Sequence, residues 1–306
     1  MCCRLGLLLC LALAFGPAFA CKVCVVSSEK APAFQEAFDS FSQELQRSGV
    51  SRQDIALLSI AEYQDGNQSM TEARLLVTLG TDALRHVAPR NGKLLIAGLI
   101  PRISYERVMA EAGKKAAASS AALYLDQPFG RQLDLMRLAL PRVRRVGVIW
   151  GPESISLQGL LNTAVQARGM ELSEGILNEG QTLIGALQAA LHDADGLLAV
   201  ADTAIYNANT VSNILLTSYR ANVPVQAFSP AYVKAGALLS VHSTATQIGV
   251  QLAVMAYQVL QGNNMPQSQY PADFTVSTND YIARSLGLTL DAKSLTDRLH
   301  RLEKRP

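Results

Sequence analysis

A chain of 306 residues is long enough for about two domains, and 49% hydrophobic against 17% charged residues supplies large cores. A formal net charge of +2, with no basic run interleaved with aromatics, argues against a nucleic-acid partner. The balance suits a protein that handles small neutral or zwitterionic molecules.

The first twenty residues read as an export signal. Arg4 is the positive start, Leu5–Phe15 the apolar stretch, Gly16-Pro17 the break and Ala18-Phe19-Ala20 a small-x-small cleavage site. About a dozen apolar residues are too few to span a bilayer. The mature chain is therefore expected outside the cytoplasm, in the periplasm. Removing Cys2, Cys3 and Cys10 with the signal leaves Cys21 and Cys24. Their odd spacing on an expected first strand points the two side chains to opposite faces, so a mutual disulfide is not expected and Cys24 reads as a small core residue. Cys21 directly after the cleavage site leaves a lipoprotein as the alternative.

Strands and helices then alternate. Lys22–Ser27 is an expected strand, and Phe34, Ala37, Phe38, Phe41 and Leu45 form a helical stripe that stops near Gly49. Ile55–Ile60, Leu75–Gly80, Leu94–Ile100 and Ala121–Leu125 are further strands, with a short helix from Asp82. At Asp126-Gln127-Pro128 the pattern restarts. A helix through Phe129, Leu133 and Met136 stops at Pro141, Val146–Trp150 is a strand, and a helix runs to about Arg168. A strand at Leu172–Leu177 and a helix over Thr182–His192 follow. Gly196–Ala201, then Val211, Ile214, Leu215 and Tyr219 at helical spacing, then Val225–Phe228, make a β-α-β unit with parallel strands. A helix through Ile248, Leu252, Met255 and Val259 and a strand at Phe274–Ser277 come later. Leu295, Leu299 and Leu302 mark one face of a surface helix in the tail. This alternation is that of doubly wound α/β folding, in two halves with a cleft between them.

No Gly-x-Ser-x-Gly elbow, Gly-x-Gly-x-x-Gly turn or phosphate loop ending in Gly-Lys-Ser occurs. His86, His192, His242 and His300 are scattered without metal-ligand spacing. Neither an enzyme, a cofactor nor a metal site is expected. In open parallel sheets ligands sit at the carboxyl ends of the strands. The candidate ligand-binding residues at such ends are Ser28, Thr81 and Asp82 in the first half and Ser154, Ser156, Asp202, Tyr206 and Ser229 in the second. Arg102 is an alternative anion partner. Ser, Thr and Asp at these places also serve as plain helix caps. The expected ligand carries a carboxylate, held by the N–H groups around Thr81, and an amine, held by Asp202; Tyr206 and Tyr232 would line a pocket between them.

Three segments in order, LLVTLGTDAL, LDQP…QLDLMRLALPRVRRVGVIWGPES and NVPVQAFSPAYVKAGALLSV…IG…A, resemble the substrate-binding proteins of ABC importers with the type I periplasmic fold. The resemblance is to the branch that includes tryptophan- and tyrosine-type binders, and it covers residues 22–290. It implies a first lobe of residues 22–125 plus about 241–265, a second of 126–240 plus about 270–306, and three hinge crossings. It implies a monomer that hands a small-molecule ligand to an ABC permease in the inner membrane. A periplasmic sensing module that signals to a membrane receptor is the alternative. Many relatives carry Thr-Gly-Val-Ser where this chain reads Ala122-Leu123-Tyr124-Leu125-Asp126, which leaves the solute's identity open.

Overall fold

The computed structural model describes residues 22–64, 73–88 and 93–304. The expected signal segment and Cys21 lie outside them. The first lobe runs β1 (Val23–Ser27), α1 (Pro32–Arg47), β2 (Ile55–Ser59), α2 (Ile60–Gln64), β3 (Leu75–Leu79), α3 (Thr81–Val87), β4 (Leu94–Ile100), α4 (Arg102–Ala112), α5 (Lys114–Ala118) and β5 (Ser120–Tyr124). Its sheet is parallel throughout, in the order β2-β1-β3-β4-β5. All five residues of β3, Leu-Leu-Val-Thr-Leu, are buried, as befits a strand covered on both faces.

The second lobe runs α6 (Phe129–Ala139), β6 (Arg145–Trp150), α7 (Gln158–Gln166), β7 (Glu171–Ile176), α8 (Leu183–Leu191), β8 (Gly196–Leu198), α9 (Val211–Arg220), β9 (Val225–Ala227), α10 (Pro230–Ala235) and β10 (Leu239–His242). The chain returns to the first lobe as α11 (Ala245–Leu260), then to the second as β11 (Thr275–Thr278), α12 (Asp280–Ser285) and α13 (Ala292–Glu303). The second sheet is ordered β11-β10-β9-β8-β6-β7, so β6 to β10 repeat the winding of β1 to β5. Only β11 breaks the parallel rule, pairing antiparallel with β10. The molecule is thus two doubly wound α/β lobes. The expected strand Gly196–Ala201 is shorter than its apolar run: β8 stops at Leu198, and Ala199–Ala201 turn towards the space between the lobes.

Helix α11 belongs with the first sheet because its apolar face, Ile248, Leu252, Met255 and Val259, packs in one cluster with Phe38, Phe41 and Leu45 of α1. Fully burying a side chain such as Phe41 contributes about 1.5–3 kcal/mol. Gly249 permits the close approach, since a Cβ there would strike the Ala37 carbonyl oxygen and stand 3.0 Å from Ser40 Cβ. Helix α13 buries Leu295 and Leu299 against Leu135, Phe274 and Val276 of the second lobe.

Cys24 is fully buried in the first lobe as expected, but it is disulfide-bonded. The other four cysteines of the chain all lie outside the described residues. Strand β1 starts at Val23, one residue later than the expected Lys22.

Candidate functional site

Three chain crossings join the lobes, and a cavity of about 560 Å³ opens beside them. Ala33, Glu36, Pro101 and Arg102 of the first lobe line it, facing Leu157, Ala199–Ala201, Phe228 and Ser229 of the second. The crossings themselves supply Leu125, Asp126 and Gln127, then Val241–Ala245, then Tyr270. The volume is that of a small-molecule site, and its walls are largely apolar with a few convergent polar groups.

Arg102 and Asp126 are two ionisable residues of the cavity wall. Pro101 ends β4 and, with φ −60° and ψ 143°, leads into α4. The first N–H groups of a helix have no partner within it; here Asp126 Oδ2 accepts from the Arg102 backbone N–H at 2.5 Å. The Arg102 guanidinium lies over the rings of Tyr124 and Tyr270, 5.8 and 5.9 Å from their centroids. It donates to Tyr270 Oη at 2.9 Å and to Glu106 at 2.7 Å. Burial opposes its charge, yet the hydrogen bonds to Tyr270 and Glu106 outweigh that and hold it protonated above its ordinary range. Burial also pushes the Asp126 carboxyl up, against the pull of the backbone N–H groups and of Arg102. A carboxylate made costly to ionise in a cleft is a common mark of a functional position. Burial likewise lowers the His242 imidazole, so it is neutral at pH 7; Ser240 Oγ lies 3.4 Å from its Nδ1.

Of the eight sequence-derived candidates, Ser229 lines this cavity. Ser28 sits in the loop after β1, where its Oγ accepts from the Ala83 N–H of α3 at 2.8 Å. It thereby caps the helix start that was expected to hold a carboxylate. Gly80, with φ +89°, makes this contact possible: a Cβ there would stand 2.5 Å from Ser28 Oγ. Thr81 and Asp82 begin α3, and exposed Asp82 pairs with Arg85 at 2.6 Å. Ser154 and Asp202 are buried against each other in the second lobe. Asp202 Oδ2 accepts from the N–H groups of Glu153 (3.0 Å) and Ser154 (2.8 Å) and from Ser154 Oγ (2.9 Å), while Oδ1 accepts from Ala204 N–H (3.0 Å). Ser156 is exposed on the turn Ile155–Leu157. Tyr206 is buried behind Phe228, its ring 5.9 Å away, and burial pushes its phenol well up. Tyr232 Oη donates to the Tyr206 carbonyl at 3.0 Å.

Strand-end reasoning passed over Asp126, Gln127, His242 and Tyr270, which line the cavity from the crossings. The available signal was the restart of the β-α pattern at Asp126-Gln127-Pro128, which marks a crossing. Among the described residues, no group of three or more His, Cys, Asp or Glu is placed to hold a metal ion. No described helix is long and apolar enough to cross a membrane.

A family model described as ABC transporter substrate binding protein matches residues 125–297, more than half of the chain. The chain belongs to that family. This substrate-binding protein has no match among curated proteins by sequence. Its fold is shared with solved structures of low identity. A conserved domain protein from Vibrio cholerae is 21% identical with a TM-score of 0.59, covering 91% of this chain and 98% of its own. A ligand-free, open substrate-binding protein with adhesive properties from Clostridium difficile is 14% identical with a TM-score of 0.69, over 88% and 96%. An ABC domain from Streptococcus pneumonia in complex with L-Trp is 16% identical with a TM-score of 0.59, over 90% and 97%. The fold is therefore that of type I periplasmic binding proteins.

Proposed function

We propose that this substrate-binding protein is exported and captures a small organic zwitterion, an amino acid with an apolar or aromatic side chain, for delivery to an ABC permease. The observation that carries the reading is that Arg102 and Asp126 both line one interlobe cavity whose walls are largely apolar, the Asp126 carboxylate accepting from the Arg102 backbone N–H. A guanidinium suits a carboxylate and an ionised carboxylate suits an ammonium, each through charge-assisted hydrogen bonds. Leu125, Leu157, Val200, Phe228 and Val241 leave the remaining wall suited to an apolar side chain. The L-Trp held by the Streptococcus structure is a ligand of this kind in the same fold. The pattern of Arg4, Leu5–Phe15 and Ala18-Phe19-Ala20 supports export.

The proposed assignment of the two ligand ends is Arg102 for the carboxylate and Asp126 for the ammonium, with Ser229 on the facing lobe. A thermal-shift screen of amino acids, nucleosides, vitamins and sugars on the purified mature protein tests the class. Calorimetry on Arg102→Met with the ligand found then tests the contact, with an expected loss of about ten- to a hundredfold in affinity. A melting-point rise with a neutral sugar and with no amino acid sinks the reading.

A further inference from the structure

A buried network joins all three chain crossings to the C-terminal helix. Its centre is Arg131 on α6, only 7% exposed. A buried guanidinium is retained only where its donors are met, and these are met from several directions. Nη1 donates to Gln127 Oε1 at 2.7 Å, on the first crossing, and to the Pro271 carbonyl at 2.8 Å, on the third. Nε and Nη2 form a two-pronged pair with Glu303 of α13, at 2.5 and 2.9 Å. The guanidinium also lies 4.2 Å from the ring centroid of Phe274, on which His300 of α13 stacks at 4.0 Å. The second crossing joins through Gln127, whose Nε2 donates to Ser243 Oγ at 2.9 Å; that hydroxyl in turn donates to the Asp273 carbonyl at 2.7 Å.

Each crossing that Arg131 reaches also presents a residue to the cavity: Gln127 on the first, Ser243 on the second, and on the third Tyr270, which precedes Pro271. We propose that Arg131 is a positioning residue for the ligand cavity, and that α13, through Glu303, sets how tightly the two lobes are held relative to one another. Lobe closure works through a few residues at element ends that absorb the backbone change. Here those residues are cross-linked by one side chain, and that side chain is anchored from a helix that lines no part of the cavity. The state of Glu303 therefore reaches the ligand without touching it, which is a coupling between distinct places. The effect on binding, though not on lobe geometry, rests on the interlobe cavity being the ligand site.

The test separates the two. Spin labels on cysteines introduced at the exposed positions Gln43, on α1, and Gln166, on α7, report the distance between lobes in the ligand-free protein. Glu303→Gln, which keeps the shape and removes the charge, should broaden the distance distribution. Glu303→Lys, which sets a cation against Arg131, should broaden it further. Asp297→Asn removes an exposed pair with Lys293 on the same helix and should leave the distribution at the parent's. If Glu303→Lys does not fold, the partly exposed Gln variant carries the test alone. A distribution for folded Glu303→Gln that superimposes on the parent's overturns the proposal, whatever the solute is. With the screened ligand, Glu303→Gln should bind about five- to tenfold more weakly when titrated at a temperature where the variant is fully folded. An altered distribution with unaltered affinity would overturn the positioning role.

Discussion

Asp202 offers the sharpest test of what the buried second-lobe residues do. It is 4% exposed, and Ser154 beside it is fully buried. Oδ2 takes three donors and Oδ1 one. Asparagine carries only one accepting atom, so its amide nitrogen must face either the Ala204 N–H or the three donors at Oδ2. Whichever way it turns, at least one buried donor meets a donor, at about 1–3 kcal/mol. Alanine abandons all four donors and loses about 3–5 kcal/mol, the range for removing one side of a buried polar set. At about 2–4 °C per kcal/mol for a unit of this size, the alanine variant should melt roughly 6–20 °C lower. Calorimetric melting of Asp202→Asn and Asp202→Ala, with ligand titration of both at a temperature where they are folded, measures stability and affinity separately. The expected outcome is a graded loss of stability with affinity within about twofold of the parent. A variant that keeps its melting temperature and loses tenfold or more in affinity would show the carboxylate serving the ligand, and would refute this reasoning.

The other predictions concern pH and packing. An unfolded Asp126 carboxyl titrates near 3.8 and the native one higher, so the native state holds more protons between those values and stability falls as pH rises through that window. Asp126→Asn should therefore raise the melting temperature at neutral pH, with the gain lost on acidification below about 3.8, while ligand affinity drops. An unfolded His242 takes up its proton near 6.5 and the buried one only at lower pH. Stability should fall as pH drops below 6.5, and His242→Gln should flatten that slope in melts between about pH 7 and pH 5; an unchanged slope would contradict it. Gly249→Val drives a side chain into the α1 backbone and should cost about 1–3 kcal/mol by denaturant titration, with the loss in the first lobe.

Much of the fold is legible because its signals are local. Apolar runs such as Leu75–Leu79 and Val146–Trp150 can only be strands covered on both faces, and the stripe Phe38, Phe41 and Leu45 only a helix with one buried side. Alternation of the two dictates parallel winding, because a right-handed crossover leaves no other arrangement. Less visible were the short elements. β10 is four residues long, and its neighbour β11 runs antiparallel, which no periodicity announces.

The site divides differently. That ligands gather at the carboxyl ends of parallel strands follows from topology, and Ser229, which ends the β9 segment, is on the cavity wall. Which of the many strand ends face the other lobe depends on how two separately folded halves abut, and no local pattern encodes that angle. Hence Ser28, Ser154 and Asp202, polar residues at such ends, spend their hydrogen bonds on their own lobe. Arg102, Asp126, Gln127, His242 and Tyr270, scattered over some 170 positions, converge only where the chain crosses between lobes. Secondary structure is set by neighbours within a few residues, whereas a cavity between lobes is set by contacts between residues far apart in the chain. The sequence therefore determined two α/β halves and the family they belong to, and the packing of one half against the other decided which residues surround the ligand space.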